Sequence, residues 1–208
     1  MAKGLLNNRV IPQHRLLAIG GSAGSLAMTL KIVSLLKGQM GLAVIVIFHR
    51  KTTDDTTLIH LFSERTDFHV KEAEEKDEIL PGTIYIAPAD YHLLIENDFT
   101  LSLDVSEKVN YSRPSIDITF ESAAEVYRQG LACLLLSGAN ADGVEGLKKA
   151  RALRAAILVQ DPRCAEVPYM PQEAVNNVPV DLLVDDNNLS NIFTLPDWRP
   201  VANPPETF

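Results

Sequence analysis

The chain is poor in the residues that mark several common protein classes. Its 208 residues include only two cysteines and one tryptophan, and no apolar run approaches the roughly 18 residues that a membrane-spanning helix needs. Cys133 lies in an apolar run and Cys164 in a loop, so the two resemble reduced thiols more than a disulfide framework. The sequence therefore predicts neither a disulfide-stapled secreted domain nor insertion into a membrane.

Basic residues are also scarce. Lys and Arg number 19 against 27 Asp and Glu, which gives a formal net charge of -8. Because phosphate binding depends on Lys and Arg, this balance argues against a general affinity for nucleic acid. The N-terminus is too short and too polar for a signal peptide, and no cluster has metal-ligand spacing. We expect a cytoplasmic protein without a metal or another cofactor.

What is present is the pattern of an α/β domain, with a hydrophobic content of 46%. Apolar runs predict five parallel strands, at 15–20, 42–48, 131–136, 156–160 and 180–184. Amphipathic segments predict the helices between them, at 25–36, 115–129, 144–153 and 171–176. Shorter alternating segments between 69 and 103 predict an antiparallel hairpin excursion. We expect a doubly wound, mostly parallel sheet with helices on both faces.

The domain organisation predicted from these patterns is simple. Residues 1–14 have no periodicity and are expected to form an N-terminal arm. Residues 15–193 are expected to form one domain. Residues 194–208 carry Pro196, Pro200, Pro204 and Pro205, so we expect a disordered or loosely attached tail.

One stretch, LLAIGGSAGS at residues 16–25, combines a strand, a tight turn and the start of a helix. Its residues 20–24 fit the G-x-S-x-G elbow, in which small neighbours let the chain turn sharply and hold a serine hydroxyl beyond the sheet. The pattern alone is weak, because Gly and Ser are common in ordinary turns. Ser22 is the candidate nucleophile.

Two further residues follow predicted strands. His49 ends the second strand and Asp142 lies in the loop after the third, so all three side chains emerge at the carboxyl edge of a parallel sheet. A serine hydroxyl needs a base to remove its proton, and an imidazole base needs a carboxylate to orient it. The sequence predicts these roles for His49 and Asp142. Taken singly, they also fit a surface histidine and a turn residue.

A dinucleotide-binding module is an alternative, because glycine-rich turns after a first strand also cradle pyrophosphate. The G-x-G-x-x-G pattern from Gly20 needs glycines where the chain has Ser22 and Ser25, and the second strand ends in His49 instead of an acidic ribose ligand. Arg50 leaves open a contact with a 2′-phosphate. The spacing makes this alternative the weaker one.

Several blocks stand in a recognisable order along residues 15–193. They are AIGGSAGS, the strand ending in His49, PGTIYIAP followed by His92-Leu93, RPSIDITFESAA, LLLSGANADGVEGL, VQDPRC and MPQEA. Together they resemble the catalytic domain of the chemotaxis receptor methylesterases, the CheB-type protein-glutamate methylesterases. The resemblance implies hydrolysis of glutamate γ-methyl esters on receptor cytoplasmic helices, release of methanol and deamidation of receptor glutamines. It assigns the nucleophile to Ser22, the base to His49 and the orienting acid to Asp142.

The chain also departs from the family pattern. Ala23 stands where the family usually has Thr, and Arg50 where it usually has Met. Ala139 and Asn140 replace residues of the usual Gly-Met-Gly-x-Asp-Gly loop. If the main-chain N–H groups of Ala23 and Ala139 form an oxyanion hole, such side-chain changes are tolerated. These departures leave open an alternative hypothesis, in which the protein is a binding or regulatory homologue whose catalytic pocket has decayed.

Partners and control follow from the same reading. Arg113, and after it Arg50, is expected to meet the acidic receptor helix. The mechanism needs neutral His49, so activity should fall as pH drops through the range where an imidazole takes up a proton. The best-known family members carry a phospho-receiver domain, but fewer than 15 residues precede the first strand here. Phosphorylation control is therefore expected from a separate phospho-receiver protein.

Overall fold

A computed structural model of the chain describes residues 15–39, 41–50, 57–196 and 198. The expected N-terminal arm, residues 1–14, and most of the expected tail lie outside this part. The strands of the described part are β1 (Arg15–Gly21), β2 (Leu42–Phe48), β3 (His69–Glu72), β4 (Thr83–Ile86), β5 (His92–Ile95), β6 (Leu101–Asp104), β7 (Leu131–Leu135), β8 (Ala156–Gln160) and β9 (Leu182–Val184). Its helices are α1 (Leu26–Ser34), α2 (Thr57–Ser63), α3 (Ile116–Tyr127), α4 (Val144–Ala152) and α5 (Tyr169–Asn177).

Seven of these strands form one parallel sheet in the order β3-β4-β2-β1-β7-β8-β9. Every residue of β2 and β7 is buried, as expected for central strands that are covered on both faces. β1 lies between β2 and β7, so its carboxyl end is flanked by two neighbouring strand ends. The doubly wound fold class predicted from the sequence is confirmed.

Helices cover both faces of the sheet because successive strand side chains point to opposite sides. Leu16 and Ala18 of β1 belong to the core under α3, α4 and α5, which the β5-β6 hairpin extends. Leu17 and Ile19 belong to the core under α1 and α2. Burying each large apolar side chain contributes about 1.5–3 kcal/mol, so both cores hold β1 in place.

The antiparallel excursion is smaller than the sequence predicts. Among the strands of the described part, β5 and β6 alone pair antiparallel, with His92 opposite Asp104. The two preceding segments, β3 and β4, instead join the main sheet in parallel, with Ile84 beside Val44 of β2. The prediction of hairpin pairing was wrong for these two strands, since the Pro81-Gly82 turn ends a crossover connection and does not close a hairpin.

The chain stays packed beyond the predicted end of the domain at residue 193. A 3-10 helix covers Leu189–Thr194, and Trp198 is buried with 2% of its surface exposed. The Trp198 indole N–H donates to the Gly130 carbonyl at 3.0 Å, and the Arg15 guanidinium lies 4.6 Å from its ring centroid. Trp198 is therefore packed against the domain, whereas Thr194 and Pro196 are exposed and Leu195 is half-buried.

Candidate active site

Ser22, His49 and Asp142 follow the carboxyl ends of three adjacent strands. Ser22 comes directly after β1, His49 directly after β2, and Asp142 lies in the loop between β7 and α4. The chain leaves β1 toward β2 on one side, while β7 lies on the other, so β1 ends at a topological switch point. Loops diverge at such a point and open the crevice in which α/β proteins bind ligands.

The turn that carries Ser22 depends on its glycines. A Cβ on Gly21 would lie 2.6 Å from the Ser25 side chain, whose hydroxyl donates to the Ser22 carbonyl at 2.7 Å. Gly24 has a φ of +77°, a left-handed conformation that L side chains rarely adopt. A Cβ on Gly24 would also lie 2.6 Å from the Glu166 Cβ. These constraints make the turn tight and leave Ser22 half-buried.

Ser137 fixes this turn to the end of β7. The Ser22 N–H donates to the Ser137 carbonyl at 2.9 Å, and the Ser137 hydroxyl donates to the Ala23 carbonyl at 2.7 Å. The same hydroxyl oxygen accepts the Val167 N–H at 2.9 Å, which brings in the loop after β8. The sequence analysis missed Ser137, whose only signal is its place at the start of the loop that also carries Asp142.

His49 and Asp142 are joined by a hydrogen bond of 2.7 Å between Nε2 and Oδ2. The Asp142 side chain is fully buried and that of His49 is 12% exposed. A carboxylate only accepts, so Nε2 carries a hydrogen and donates this hydrogen bond to Asp142. In the neutral form of the imidazole the lone pair then lies on Nδ1. Within the described residues no hydrogen bond joins Ser22 to His49. The His49 N–H does donate to the Gly21 carbonyl at 3.3 Å, beside the serine.

Asp142 accepts four further hydrogen bonds. The donors are the Ser115 hydroxyl at 2.9 Å, the Ile116 N–H at 2.8 Å, the Asp117 N–H at 3.2 Å and the Asn110 carboxamide at 3.1 Å. Two of these are free N–H groups at the N-terminus of α3, where a negative charge is favoured. Ser115 is the N-cap residue of this helix, but its side chain makes no capping bond. The carboxylate of Asp142 takes that place.

A second carboxyl group lies in the same pocket. Asp117, with 6% of its surface exposed, accepts the Gly146 N–H at 2.8 Å and the Asn110 carboxamide at 2.9 Å. Burial, together with the neighbouring Asp142, raises the pKa of Asp117 to about 7. Burial also opposes ionisation of Asp142, but hydrogen bonds from His49, the Ile116 N–H and Asn110 outweigh it and lower its pKa to about 2. Asp142, next to His49, is therefore the member of the pair that ionises at the lower pH.

The two main-chain groups expected to bind an oxyanion lie beside this arrangement. Ala23 follows Ser22, and Ala139 lies in the loop of Asp142; both residues are exposed. Among the described residues, neither the Ala23 N–H nor the Ala139 N–H donates a hydrogen bond. Unused donors of this kind are what an oxyanion site needs.

Both arginines singled out in the sequence have intramolecular partners. Arg50 forms an ion pair with Glu72 and has 16% of its side chain exposed. The Nη1 of Arg113 donates to the carbonyls of Val105 and Ser106 at 2.6 and 2.7 Å. A substrate contact by Arg113 would therefore use another guanidinium nitrogen, and the expected role in substrate binding stays a prediction.

Other features of the described part lie elsewhere or are absent from it. It contains no group of three or more His, Cys, Asp or Glu that could hold a metal ion. None of its helices is long and apolar enough to cross a membrane. A cavity of about 730 Å³ lies at the opposite, amino edge of the sheet, where Arg151, Arg154 and Trp198 line it. That cavity is remote from Ser22.

The fold and the site define an α/β protein in which a serine on a tight turn, a histidine and a buried aspartate gather at one edge of a parallel sheet. Residues 17–192 match the family profile described as CheB methylesterase. The chain belongs to the CheB methylesterase family. This membership confirms the resemblance and weighs against the dinucleotide-binding alternative.

Related proteins agree with this result. A protein of Leptospira interrogans, provisionally named protein-glutamate methylesterase/protein-glutamine glutaminase, is 39% identical over 180 residues, which are 86% of this chain and 93% of that protein. A Thermotoga maritima protein-glutamate methylesterase/protein-glutamine glutaminase is 29% identical, over 77% of this chain and 48% of its own length. The crystal structure of the Thermotoga maritima CheB methylesterase catalytic domain superposes with a TM-score of 0.80 at 27% identity, covering 86% of this chain and 95% of that one.

Proposed function

We propose that this protein is a serine hydrolase that cleaves glutamate γ-methyl esters on methyl-accepting chemotaxis receptors and releases methanol. The observation that carries the proposal is the His49–Asp142 pair, a 2.7 Å hydrogen bond to a buried carboxylate at the same strand edge that carries Ser22. Names that pair methylesterase with glutaminase activity among the relatives support ester and amide substrates on glutamate side chains.

In the first half of the proposed reaction, the Ser22 Oγ attacks the ester carbonyl carbon while His49 Nδ1 takes the hydroxyl proton. Asp142 stabilises the imidazolium that forms. The N–H groups of Ala23 and Ala139 donate to the oxyanion of the tetrahedral intermediate. The bond to the methoxy oxygen then breaks, and that oxygen takes the proton from His49 and leaves as methanol.

In the second half, water attacks the acyl group that is now bonded to Ser22. His49 removes a proton from the water, the second tetrahedral intermediate forms, and the bond to the Ser22 Oγ breaks as His49 returns the proton. The products are a free glutamate side chain and the original hydroxyl. With a glutamine substrate the same steps release ammonia, which is the proposed deamidation.

The proposed partner is the cytoplasmic part of a chemotaxis receptor, which places the reaction in the cytoplasm. Arg113 is the proposed contact for acidic receptor residues, with Arg50 as a second candidate that must first leave Glu72. Arg50 follows His49 in the chain, so its ion pair with Glu72 links the segment of His49 to the end of β3. A separate phospho-receiver protein remains our proposed source of control.

Methanol release from a methylated receptor cytoplasmic fragment tests the proposal. Wild-type protein should release methanol, and Ser22→Ala should lower the rate by 10³ to 10⁶, the order expected when a triad nucleophile is lost. Ser34→Ala is the matched control, because Ser34 lies exposed on α1 and its hydroxyl donates only to the Leu30 carbonyl. Its rate should equal that of wild type. A folded wild-type protein that releases no methanol would instead indicate a decayed or altered pocket.

A further inference from the structure

A tight turn at residues 109–112 leads into α3 and lies beside the loop of Asp142. Val109 and Ser112 close it, with each N–H donating to the other's carbonyl at 3.2 and 2.9 Å. The two central residues, Asn110 and Tyr111, have φ values of +50° and +63°. Left-handed conformations at both positions match a two-residue turn that Asn tolerates well. Tyr111 is 99% exposed, whereas the Asn110 carboxamide contacts two carboxyl groups.

The Asn110 side chain donates to both acidic residues of the pocket. Its Nδ2 lies 2.9 Å from Asp117 Oδ2 and 3.1 Å from Asp142 Oδ1. The opposite orientation would bring the carboxamide oxygen against two carboxyl oxygens, so these acceptors fix the amide. Asn110 thus holds Asp142 through Oδ1, while Oδ2 accepts the proton of His49 Nε2.

A second carboxamide closes the connection between the two loops. The Asn140 Nδ2 donates to the Asn110 carbonyl at 3.2 Å, and the Asn140 Oδ1 accepts the Asp142 N–H at 3.2 Å. The turn therefore holds the carboxylate of Asp142, and Asn140 holds both the turn and the main chain of Asp142. Each asparagine depends on the other for its position.

We propose that Asn110 is a positioning residue of the reaction, and that Asn110 and Asn140 together lock the 109–112 turn to the loop of Asp142. The carboxylate is then kept in the orientation in which it accepts from His49 Nε2 and leaves Nδ1 for Ser22. This inference rests on the proposed function, since the orientation of Asp142 affects a rate only if His49 is the base.

Three substitutions in the same turn test the proposal on methanol release. Asn110→Gly removes the carboxamide without strain, because glycine accepts a left-handed φ. Asn110→Asp keeps the shape but turns an acceptor toward two carboxyl groups. Loss of a hydrogen bond to a charged group should lower kcat about tenfold to a hundredfold in Asn110→Gly, and further in Asn110→Asp, with KM unchanged. Tyr111→Gly, the control, should keep the wild-type kcat.

A spectroscopic measurement separates positioning from a purely structural role. The proton that His49 Nε2 donates to Asp142 gives a downfield proton NMR resonance, whose position reports that hydrogen bond. It should move or broaden in Asn110→Gly and stay in place in Tyr111→Gly. Asn140→Gly should lower kcat less than Asn110→Gly, and the two effects should be non-additive because the side chains share one network.

An unchanged kcat in folded Asn110→Gly would overturn the proposal, and so would a rise in KM alone or an unmoved proton resonance. The proposed function fails in a different way. If wild-type protein releases no methanol, the hydrolase proposal falls, while the resonance of His49 still reports whether Asn110 orients Asp142. Additive effects of the two glycine substitutions would refute the lock between the loops.

Discussion

The acid and the nucleophile of the proposed triad are held in opposite ways. Asp142 is fully buried and accepts five hydrogen bonds from five different residues, which fix both of its oxygens. Ser22 is half-buried, and its position comes from main-chain contacts to Ser137 and Ser25. The hydroxyl itself makes no hydrogen bond among the described residues. A fixed charge at one end and a free hydroxyl at the other suit the proposed reaction, in which the hydroxyl must be open to a protein substrate.

Removal of the negative charge of Asp142 should lower the rate of methanol release more than any other change considered. Asp142→Asn keeps the size of the side chain, and the three donors at the Oδ1 position should hold its carboxamide oxygen there. Its NH2 group then faces His49 Nε2, cannot accept a hydrogen bond from it and favours the wrong imidazole tautomer. We expect kcat for methanol release to fall on the order of 10⁴-fold, as when the aspartate of a comparable triad is replaced. Asp186→Asn, which changes an exposed carboxylate paired with Lys31, should leave kcat unchanged. Retention of more than a tenth of the activity in Asp142→Asn would show that the proposed reaction does not depend on the buried charge.

The turn that carries Ser22 should be sensitive to changes in its backbone conformation. Gly24 and Gly38 have nearly equal φ values, +77° and +80°. Among the described residues, a Cβ on Gly38 meets nothing within 4 Å, whereas one on Gly24 meets Glu166 and Ser137. Gly38→Ala should cost about 1 kcal/mol of unfolding free energy from strain alone. Gly24→Ala should cost more and should also lower kcat. Equal costs in denaturant titration, with kcat retained, would show that the elbow tolerates displacement.

The pKa of Asp117 predicts how stability depends on pH. Its folded-state pKa of about 7 lies above the ordinary carboxyl value of about 4, so the folded protein holds a proton that the unfolded chain releases. Unfolding free energy should therefore fall as pH rises from about 4 to about 7 and level off above. Asp117→Asn, which mimics the protonated acid, should lack this fall. Parallel curves for the two proteins between pH 5 and 8 would contradict the assignment.

A charge reversal at Arg113, the proposed receptor contact, should have the smallest effect on the kinetics. Arg113→Glu should raise the apparent KM for the receptor fragment about twofold to fivefold, as expected when an exposed charge pair is lost, and the effect should shrink in high salt. Lys148→Glu makes the same change in net charge on α4, where Lys148 pairs with Glu145. It should leave KM unchanged. Equal KM values for both variants would remove Arg113 from the proposed receptor contact.

Local sequence signals predicted the central part of the fold. The apolar runs at β1, β2 and β7 are long and buried on both faces, so the sequence predicted that they form parallel strands. The same pattern predicted that Ser22, His49 and Asp142 lie at a common edge of the sheet. The pairing of β3 and β4 could not be predicted. Short alternating segments separated by turn residues fit a hairpin as well as a crossover, and only contact with β2 decides between them.

The sequence predicted that Ser22, His49 and Asp142 lie at one edge of the sheet, but it did not predict the residues that hold them there. Ser115 and Asp117 have the sequence features of a helix start, which hid their contacts with Asp142. Asn110 is separated from Asp142 by a whole helix and strand, so no local pattern connects them. Trp198 was missed for a related reason, because the prolines around it suggested a loose tail while its burial depends on contacts with Gly130 and Arg15.

Covalent labelling tests directly whether Ser22 is a nucleophile that His49 activates. A fluorophosphonate reacts with a serine whose hydroxyl is activated by a neighbouring base, and peptide mass spectrometry identifies the residue that carries the adduct. We expect one adduct, on Ser22, and a labelling rate that falls by at least about 10³ in His49→Ala. An adduct on another serine, or equal labelling of wild type and His49→Ala, would contradict it.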